Sequence, residues 1–241
     1  MGSNSQMDLQ IDADGEQPSV NFKNILIVSG VVAVGMFALS LWAWGQLPSG
    51  AQIPVHWGPN GEPDRYGGKF EGLMLMPLIF LGITALLAVV PRIDPRRGNI
   101  LRSQGAYQAV WWVMVAFFAL LHVALIFNVL GYNVDIGRLV PAGVGLMFVV
   151  IGAYMGRIRS NFMFGIRTPW TLTSELAWRK THHWGGRAFV LLGVLLAISG
   201  LFPMGEIWVW LVIIGAITVT VGLFVYSYFV WKQDPSAERQ I

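Results

Sequence analysis

The strongest constraint on this chain is a series of six long segments that contain no Asp, Glu, Lys or Arg. The two shortest hold 18 residues, which make a helix of about 27 Å, close to the roughly 30 Å hydrocarbon core of a bilayer. Because lipid offers the backbone no hydrogen-bond partners, such segments cross a membrane as helices. The segments are Ile25–Leu47, Gly72–Val90, Val110–Leu130, Leu139–Gly156, Ala188–Gly205 and Ile207–Trp231.

The composition agrees with a membrane protein. Of the 241 residues, 55% are hydrophobic and 12% are charged, whereas soluble proteins carry about 25% charged residues. A soluble enzyme of this size could not cover so much apolar surface. The sequence therefore predicts an all-α integral membrane protein, a bundle of six transmembrane helices. It contains 0 cysteines, so it has no disulfide or thiolate metal site, and we expect no metal and no cofactor.

The basic residues are divided unequally between the two sides of this arrangement. Of the 16 Lys and Arg residues, 13 lie in the N-terminal segment, the second and fourth loops and the C-terminal tail. The positive-inside rule places these parts, and both termini, in the cytoplasm. Residues 1–22 are predicted to be a disordered cytoplasmic segment and residues 233–241 a cytoplasmic tail. This bias also accounts for the net charge of +3, so we expect no direct nucleic-acid partner.

The first long loop, residues 48–70, is predicted to lie outside the cell. Its four prolines exclude a helix, and its Asn-Gly and Gly-Gly pairs indicate turns. Histidine, aromatic and charged side chains gather here, which suits ligand contact at the membrane surface. An equal alternative is an interfacial belt, in which the aromatic rings anchor at the lipid headgroups. The candidate ligand-binding residues are His56, Trp57, Asp64, Tyr66 and Lys69.

The second long loop, residues 157–187, is predicted to be cytoplasmic. Thr168 precedes Pro169, which predicts extended geometry at Thr168. A hydroxyl at position 171, 173 or 174 can cap a helix with Glu175 in its first turn. Helical spacing places four residues on one face of that helix: Glu175, Trp178, Arg179 and His182. The pair Gly185-Gly186 is predicted to end that helix before the fifth span. A helix lying on the membrane surface is the equal alternative to a binding role. The candidate residues are Asn161, Arg167, Thr168, Pro169, Trp170, Glu175, Trp178 and His182.

Polar side chains are rare inside the spans. His122 and Asn128 lie six residues apart in the third span, so they face different sides of a helix. Ionisable groups inside a membrane are functional candidates. Here, however, no span carries an Asp or Glu, which argues against a proton-coupled pump. We therefore predict that His122 is a hydrogen-bonded packing residue.

Both loops carry a family resemblance. The stretch IPVHWGPNGEPDRYGGK resembles the signature of a bacterial membrane domain of unknown function that often precedes an SdpI-type module. The stretch NFMFGIRTPWTLTSELAWRKTHHWGGR resembles the signature of the SdpI bacteriocin-immunity family. The resemblance implies an N-terminal membrane domain over residues 23–106 and an SdpI-like module over residues 107–232. The second match runs through Asn161, Gly165, Arg167, Thr168, Pro169, Trp170, Thr171, Trp178, His182 and Gly186.

The resemblance implies a multi-pass protein of the bacterial cell membrane that is not an enzyme and protects its cell from a secreted SdpC-type toxin peptide. It also implies that the toxin-occupied protein holds an ArsR-type repressor at the membrane. The expected partners are therefore membrane lipid, an SdpC-type peptide and an ArsR-type repressor. In this picture the outer loop receives the toxin, and the cytoplasmic loop presents or hides a docking face.

Two other functions remain open at this point. A small transporter or lipid/peptide exporter is favoured by a possible inverted repeat, because a His-Trp-Gly triplet follows both the first and the fourth span. A headgroup-modifying enzyme would use Glu175 and His182 as acid and base. These residues are seven positions apart, about 10.5 Å along a helix, which is too far for a direct hydrogen bond.

Overall fold

The computed structural model of the protein describes residues 22–202 and 205–236. The predicted disordered segment falls on residues 1–21, outside the described residues, and the predicted tail is described only as far as residue 236. Phe22, which the prediction included in the disordered segment, is part of the fold. Its ring lies against Tyr107 and Trp111, with ring centroids 5.6 and 5.8 Å apart.

Within the described residues, six helices are long and apolar enough to cross a membrane. This confirms the all-α, six-span fold, while the side on which the termini lie stays a prediction. Two short helices and two strands occupy the loops. The elements are α1 (Lys23–Gln46), β1 (Ile53–Trp57), β2 (Pro63–Gly67), a π-helical turn (Phe70–Met74) leading into α2 (Leu75–Ile93), α3 (Arg97–Arg102), α4 (Gln104–Val129), α5 (Ile136–Met155), α6 (Pro169–Thr173), α7 (Glu175–Leu201) and α8 (Gly205–Lys232).

The fifth span differs from the prediction. Gly185 and Gly186 do not end a helix, because α7 runs unbroken from the loop into the membrane-length segment. A Cβ atom on Gly186 would lie 2.6 Å from the carbonyl oxygen of Gly152 in α5. The glycine therefore permits a close contact between helices, and this packing keeps the helical backbone intact through the pair.

Helices α5 and α7 approach each other along a row of such glycines. A Cβ atom on Gly145 would lie 2.4 Å from the backbone nitrogen of Ala197, and one on Gly193 would lie 2.6 Å from the carbonyl oxygen of Gly145. Gly152 and Gly186 repeat this arrangement two helical turns away. In lipid, close packing of this kind replaces the hydrophobic effect as the force that holds helices together.

The second span begins with an irregular turn whose cause lies in the sequence. Pro77 has no N–H group, so the carbonyl oxygen of Leu73 four residues earlier loses its helical partner. The hydroxyl of Ser40 in α1 donates to this oxygen at 2.6 Å. Since Ser40 is fully buried, this bond satisfies a carbonyl that water cannot reach and ties α1 to the start of α2.

The predicted orientation can be tested by thiol labelling, because the chain has 0 cysteines. Glu62 lies in the turn between β1 and β2, Arg97 begins α3, and both are exposed. We expect a membrane-impermeant maleimide to label Glu62→Cys in intact cells and to label Arg97→Cys only after permeabilisation. The reverse pattern would contradict the cytoplasmic placement of the termini.

Candidate functional site

The first long loop folds into an antiparallel β-hairpin, residues 53–67, referred to below as the hairpin. Strands β1 and β2 pair Ile53 with Gly67 and His56 with Arg65. Gly61 turns the chain at the tip with a φ of 80°, a conformation that glycine adopts without strain. The backbone pairing and this turn thus give the loop its shape.

The base of the hairpin is set into the end of the helical bundle. Ile53 is 1% exposed and forms an apolar cluster with Ala43, Leu73 and Ile126 from three different spans. A Cβ atom on Gly72 would lie 2.4 Å from the Ile53 side chain, so glycine makes room for it. The hairpin is therefore a rigid extension of the bundle.

The tip of the hairpin is also held. Gly61 lies directly on Gly137 at the start of α5, where a Cβ atom on Gly137 would fall 2.2 Å from the carbonyl oxygen of Gly61. Asp135 caps this helix end by accepting the N–H of Arg138 at 3.1 Å. The hairpin therefore bridges the first spans and the start of α5.

Lys69, one of the predicted ligand-binding residues, caps a helix. Its Nζ atom donates to the carbonyl oxygens of Trp44 and Leu47 at 2.8 and 2.6 Å. It also lies 5.7 Å from the centre of the Trp44 ring. A cation at this position satisfies the last carbonyls of α1 and opposes the negative end of the helix dipole.

The other predicted residues of this loop remain available for contact. His56 Nδ1 lies 2.5 Å from Asp64 Oδ1, and these side chains are 63% and 51% exposed. Tyr66 is 53% exposed, and Trp57 is half-buried. We call His56, Asp64 and Tyr66 the hairpin surface. It combines a carboxylate with an aromatic ring, which suits a cationic, amphipathic ligand.

Contact between the hairpin tip and α5 should respond strongly to one added methyl group. Gly137→Ala places a Cβ atom where Gly61 now lies, so we expect the tip to detach and the turn to become accessible. Cleavage after Arg65 in strand β2 by trypsin should then be at least several-fold faster than in wild type. Gly68→Ala is the matched control, because a Cβ atom there meets nothing within 4 Å. Equal cleavage of the two variants would contradict the contact.

The second long loop is ordered by buried polar side chains, beginning with Asn161. This residue is fully buried, and its Oδ1 accepts the N–H groups of Met163 and Phe164 at 3.0 and 2.6 Å. Its Nδ2 donates to the carbonyl oxygen of Arg159 at 2.9 Å. One asparagine thereby fixes a tight turn in the segment 157–174, referred to below as the signature loop.

His182 and Trp178 hold the signature loop onto α7. His182 Nδ1 lies 2.8 Å from the carbonyl oxygen of Trp178, which can only accept, so Nδ1 carries the proton. Nε2 accordingly accepts the N–H of Ile166 at 2.9 Å. The two rings stack with centroids 4.0 Å apart, and Trp178 Nε1 donates to the carbonyl oxygen of Ile158 at 2.7 Å. Both side chains are almost fully buried, so they act as structural anchors.

The Thr168-Pro169 pair starts the short helix α6, and the extended geometry predicted for Thr168 is confirmed. Thr168 has extended geometry, with φ −111° and ψ 162°, and forms a reciprocal capping box with Thr171. Ser227 in α8 gives its proton to the carbonyl oxygen of Phe224, so Thr168 Oγ1 is the donor in its 2.9 Å contact with Ser227. The cap thus also connects the signature loop to the last span.

The start of α7 is fixed to the end of α8 by a second cap. Ser174 Oγ accepts the N–H of Ala177 at 3.0 Å and donates to the carboxylate of Asp234. This hydrogen bond from Ser174 lowers the pKa of Asp234 below its ordinary value. The predicted cap of the Glu175 helix is therefore confirmed, with Ser174 in that role.

Residues of the preceding loop, which the sequence did not single out, lock the signature loop from its other side. Asp94 accepts the N–H of Phe162 at 2.9 Å, and Asn99 donates to the carbonyl oxygen of Ser160 at 2.7 Å. Arg96 donates to the Ser160 hydroxyl and lies 4.6 Å from the Phe162 ring centre. In the sequence, the four arginines of this loop served only to predict its cytoplasmic side. Nothing in the local sequence indicates that Arg96 contacts residues more than 60 positions away.

The remaining predicted residues, two in the signature loop and one at the start of α7, lie at the surface. Arg167 is exposed and donates to the carbonyl oxygen of Phe162 at 2.7 Å. Trp170 packs edge-on against Phe224 and Tyr228 of α8, with centroids 4.8 and 5.2 Å apart. Glu175 is exposed. The structure therefore separates this loop into buried anchors and an exposed edge.

The intramembrane residues occupy separate positions, as their spacing predicts. His122 is fully buried, and its Nε2 lies 3.1 Å from both Ser40 Oγ and the carbonyl oxygen of Met36. Asn128 donates to the carbonyl oxygen of Val134 at 2.9 Å, close to the end of α4. Each joins neighbouring chain segments by hydrogen bonds, which fits a packing role.

These features define a multi-pass membrane protein with an ordered hairpin at one face and a hydrogen-bonded loop at the other. Comparison with known proteins confirms the family resemblance. Residues 157–227 match the SdpI/YfhL protein family, and residues 31–81 match a domain of unknown function, DUF1648. The chain therefore carries a segment similar to the SdpI/YfhL family and, before it, a segment similar to that domain.

Two relatives extend this finding. The chain is 23% identical over 209 residues to the immunity protein SdpI of Bacillus subtilis, which covers 86% of this chain and 96% of that protein. It is 29% identical over 77 residues to an uncharacterised protein of Archaeoglobus fulgidus, covering 32% of this chain and 40% of that protein. No solved structure gives a significant match. The predicted division at residues 106 and 107 stays a prediction.

Proposed function

We propose that this chain protects a bacterial cell from a secreted, membrane-active toxin peptide. The observation that carries the proposal is the similarity to the immunity protein SdpI, which extends over 96% of that relative. A match over 86% of this chain includes both long loops and the spans between them, so it is not limited to a shared membrane-spanning pattern. The toxin class is the SdpC type that the family resemblance implies.

The hairpin surface is the proposed receiving site. It is exposed, it carries a carboxylate and an aromatic ring, and the hairpin base and tip are both fixed to the bundle. A preorganised surface loses less conformational entropy on binding than a flexible loop does. Trp57 is half-buried beside this surface. Lys69 supports it indirectly, because it caps the end of α1.

A sensing role needs a route from the hairpin to the opposite face. The tip of the hairpin lies on Gly137 of α5, and α5 packs tightly on α7 through Gly145 and Gly193. Helix α7 in turn carries Trp178 and His182, which anchor the signature loop. A peptide that prefers one arrangement of these packed helices would change the far loop by population shift.

Capture of an ArsR-type repressor is the further step in this proposal. The exposed Arg167 of the signature loop and the exposed Glu175 at the start of α7 mark an edge that a soluble partner could reach. The buried Asn161, Thr168 and His182 would act only by holding that edge in place. Immunity itself does not require this step, so the two parts can be tested separately.

We further propose that the chain acts by binding and not by catalysis. The candidate acid and base do not share a site: Glu175 is exposed, whereas His182 is buried with both ring nitrogens hydrogen-bonded. A general base needs a free nitrogen within reach of the substrate. If the purified protein converted phospholipids into products with altered headgroups, the proposal that the chain is not an enzyme would be wrong.

The experiment that tests immunity is survival of a toxin-sensitive bacterium challenged with an SdpC-type peptide. We expect the wild-type protein to protect, and the triple variant His56→Ala, Asp64→Ala, Tyr66→Ala to lose most of this protection at equal membrane abundance. Arg97→Ala, an exposed change at the opposite face, is the control and should protect fully. Abundant wild-type protein without protection would remove this proposal and leave transport as the next function to test.

A further inference from the structure

A cavity between α5 and α7 has no role in the function proposed above. Its volume is about 370 Å³, and its floor is formed by the glycines at 152, 156 and 186. It lies where α5 ends at Gly156, just beyond the point at which Gly152 and Gly186 bring the two helices together. This volume falls in the range of about 300–1,000 Å³ that small-molecule sites occupy.

The side chains around this cavity are basic. His183 and Arg187 line it, and no acidic residue is among the described residues of its wall. Lys180 lies one turn earlier on the same face of α7, since the three residues are spaced by three and four positions. The cavity thus offers a guanidinium group and an imidazole ring to an anion, with a lysine one helical turn away on the same face of α7.

The depth of the cavity matches the boundary between lipid tails and headgroups. The charge-free segments of the fourth and fifth spans end at Gly156 and begin at Ala188, so Arg187 lies at the limit of the hydrocarbon region. Trp184, which is 50% exposed, lies under the Arg187 guanidinium at 4.8 Å, as tryptophan does at membrane interfaces. Beyond the cavity, Leu191 is 62% exposed and offers apolar surface to an acyl chain.

We propose that this cavity binds the phosphate group of an anionic phospholipid. Guanidinium groups bind phosphate oxygens in pairs of charge-assisted hydrogen bonds, and basic recesses between spans are typical sites for anionic headgroups. The glycine floor lets the headgroup approach the helix backbones, while the tails lie along the exposed side of α7. This inference does not depend on the immunity function.

The test is a competition measured by native mass spectrometry. Delipidated protein in detergent is offered equal amounts of phosphatidylglycerol and phosphatidylcholine, and we expect it to retain the anionic lipid preferentially. Arg187→Ala should lower this retention about fivefold, as expected for one basic group at the membrane surface. The matched control is Arg97→Ala, an exposed arginine outside the cavity, which should retain lipid as the wild type does.

A second variant closes the cavity without changing its charge. A Cβ atom on Gly156 meets nothing within 4 Å, so Gly156→Leu should fill the space and exclude the headgroup while the fold is kept. Gly222→Leu, at an equally open glycine of α8, is its control. Equal retention by Arg187→Ala and Arg97→Ala, or by the two leucine variants, would overturn the proposal. Displacement of the lipid by inorganic phosphate would overturn it in favour of a soluble phosphate compound.

Discussion

Trp178→Ala is expected to lower the free energy of unfolding by about 3–5 kcal/mol, the usual effect of removing a buried tryptophan. Trp178 is 0% exposed, stacks on His182 and donates to the carbonyl oxygen of Ile158. Loss of the indole leaves a cavity and removes the hydrogen-bond donor of the Ile158 carbonyl oxygen. It also removes the ring that stacks on His182, and His182 holds the signature loop through Ile166. Reversible unfolding in mixed micelles measures the change.

Two further variants separate these contributions. Trp178→Phe keeps most of the ring but loses the hydrogen bond, so we expect a smaller loss of about 1 kcal/mol. Trp184→Ala, six residues along the same helix, removes a tryptophan that is 50% exposed and should change stability by much less. If Trp178→Ala and Trp184→Ala were equally destabilising, the anchor role of Trp178 would be wrong.

Gly193→Ala is expected to destabilise the protein by about 1–3 kcal/mol, because overpacking of this size forces packed groups apart. The added Cβ atom would lie 2.6 Å from the carbonyl oxygen of Gly145 and 2.7 Å from the backbone nitrogen of Val149. Backbone atoms cannot move aside as a flexible side chain can, so α5 and α7 must separate. The same unfolding assay reports the change.

The control for this variant is Gly222→Ala in α8, where a Cβ atom meets nothing within 4 Å. Alanine favours a helix more than glycine does, so this variant should be neutral or slightly stabilising. A loss of stability in Gly222→Ala as large as in Gly193→Ala would mean that the glycine row does not hold α5 against α7.

The six spans could be predicted because membrane insertion is decided by local composition. Each charge-free segment meets the length requirement by itself, without reference to the rest of the chain. The predicted ends of the helices are less accurate where contacts between helices determine them. Gly185-Gly186 has the residues of a helix end, yet the helix continues because Gly186 fits against Gly152, and this contact is between segments distant in the sequence.

The hairpin was missed for a related reason. Prolines at 54 and 63 lower the β-propensity of both strands, and an isolated hairpin is only marginally stable. It forms here because Ile53 is buried between spans and Gly61 rests on Gly137. The Asn60-Gly61 pair was the available signal, since it marks a tight turn between two short segments.

The signature loop and the part of α7 that holds it show how residue type alone misleads about accessibility. Asn161, Thr168 and His182 are polar residues that suggested a surface, but each is buried and satisfied by backbone groups or by α8. Their partners lie 2 to 59 positions away, so only the fold reveals which hydrogen bonds they make. Thr168 was the exception, because its position before a proline predicted its geometry.

Binding of a toxic peptide at the hairpin surface is the step on which the proposed immunity depends. The most direct measurement is equilibrium binding of a fluorescent SdpC-type peptide to the purified protein in lipid nanodiscs. We predict saturable binding that weakens by roughly tenfold or more when His56, Asp64 and Tyr66 are all replaced by alanine, because a charged hydrogen-bonded contact is lost. The absence of saturable binding by folded wild-type protein, or unchanged affinity in the triple variant, would contradict the claim.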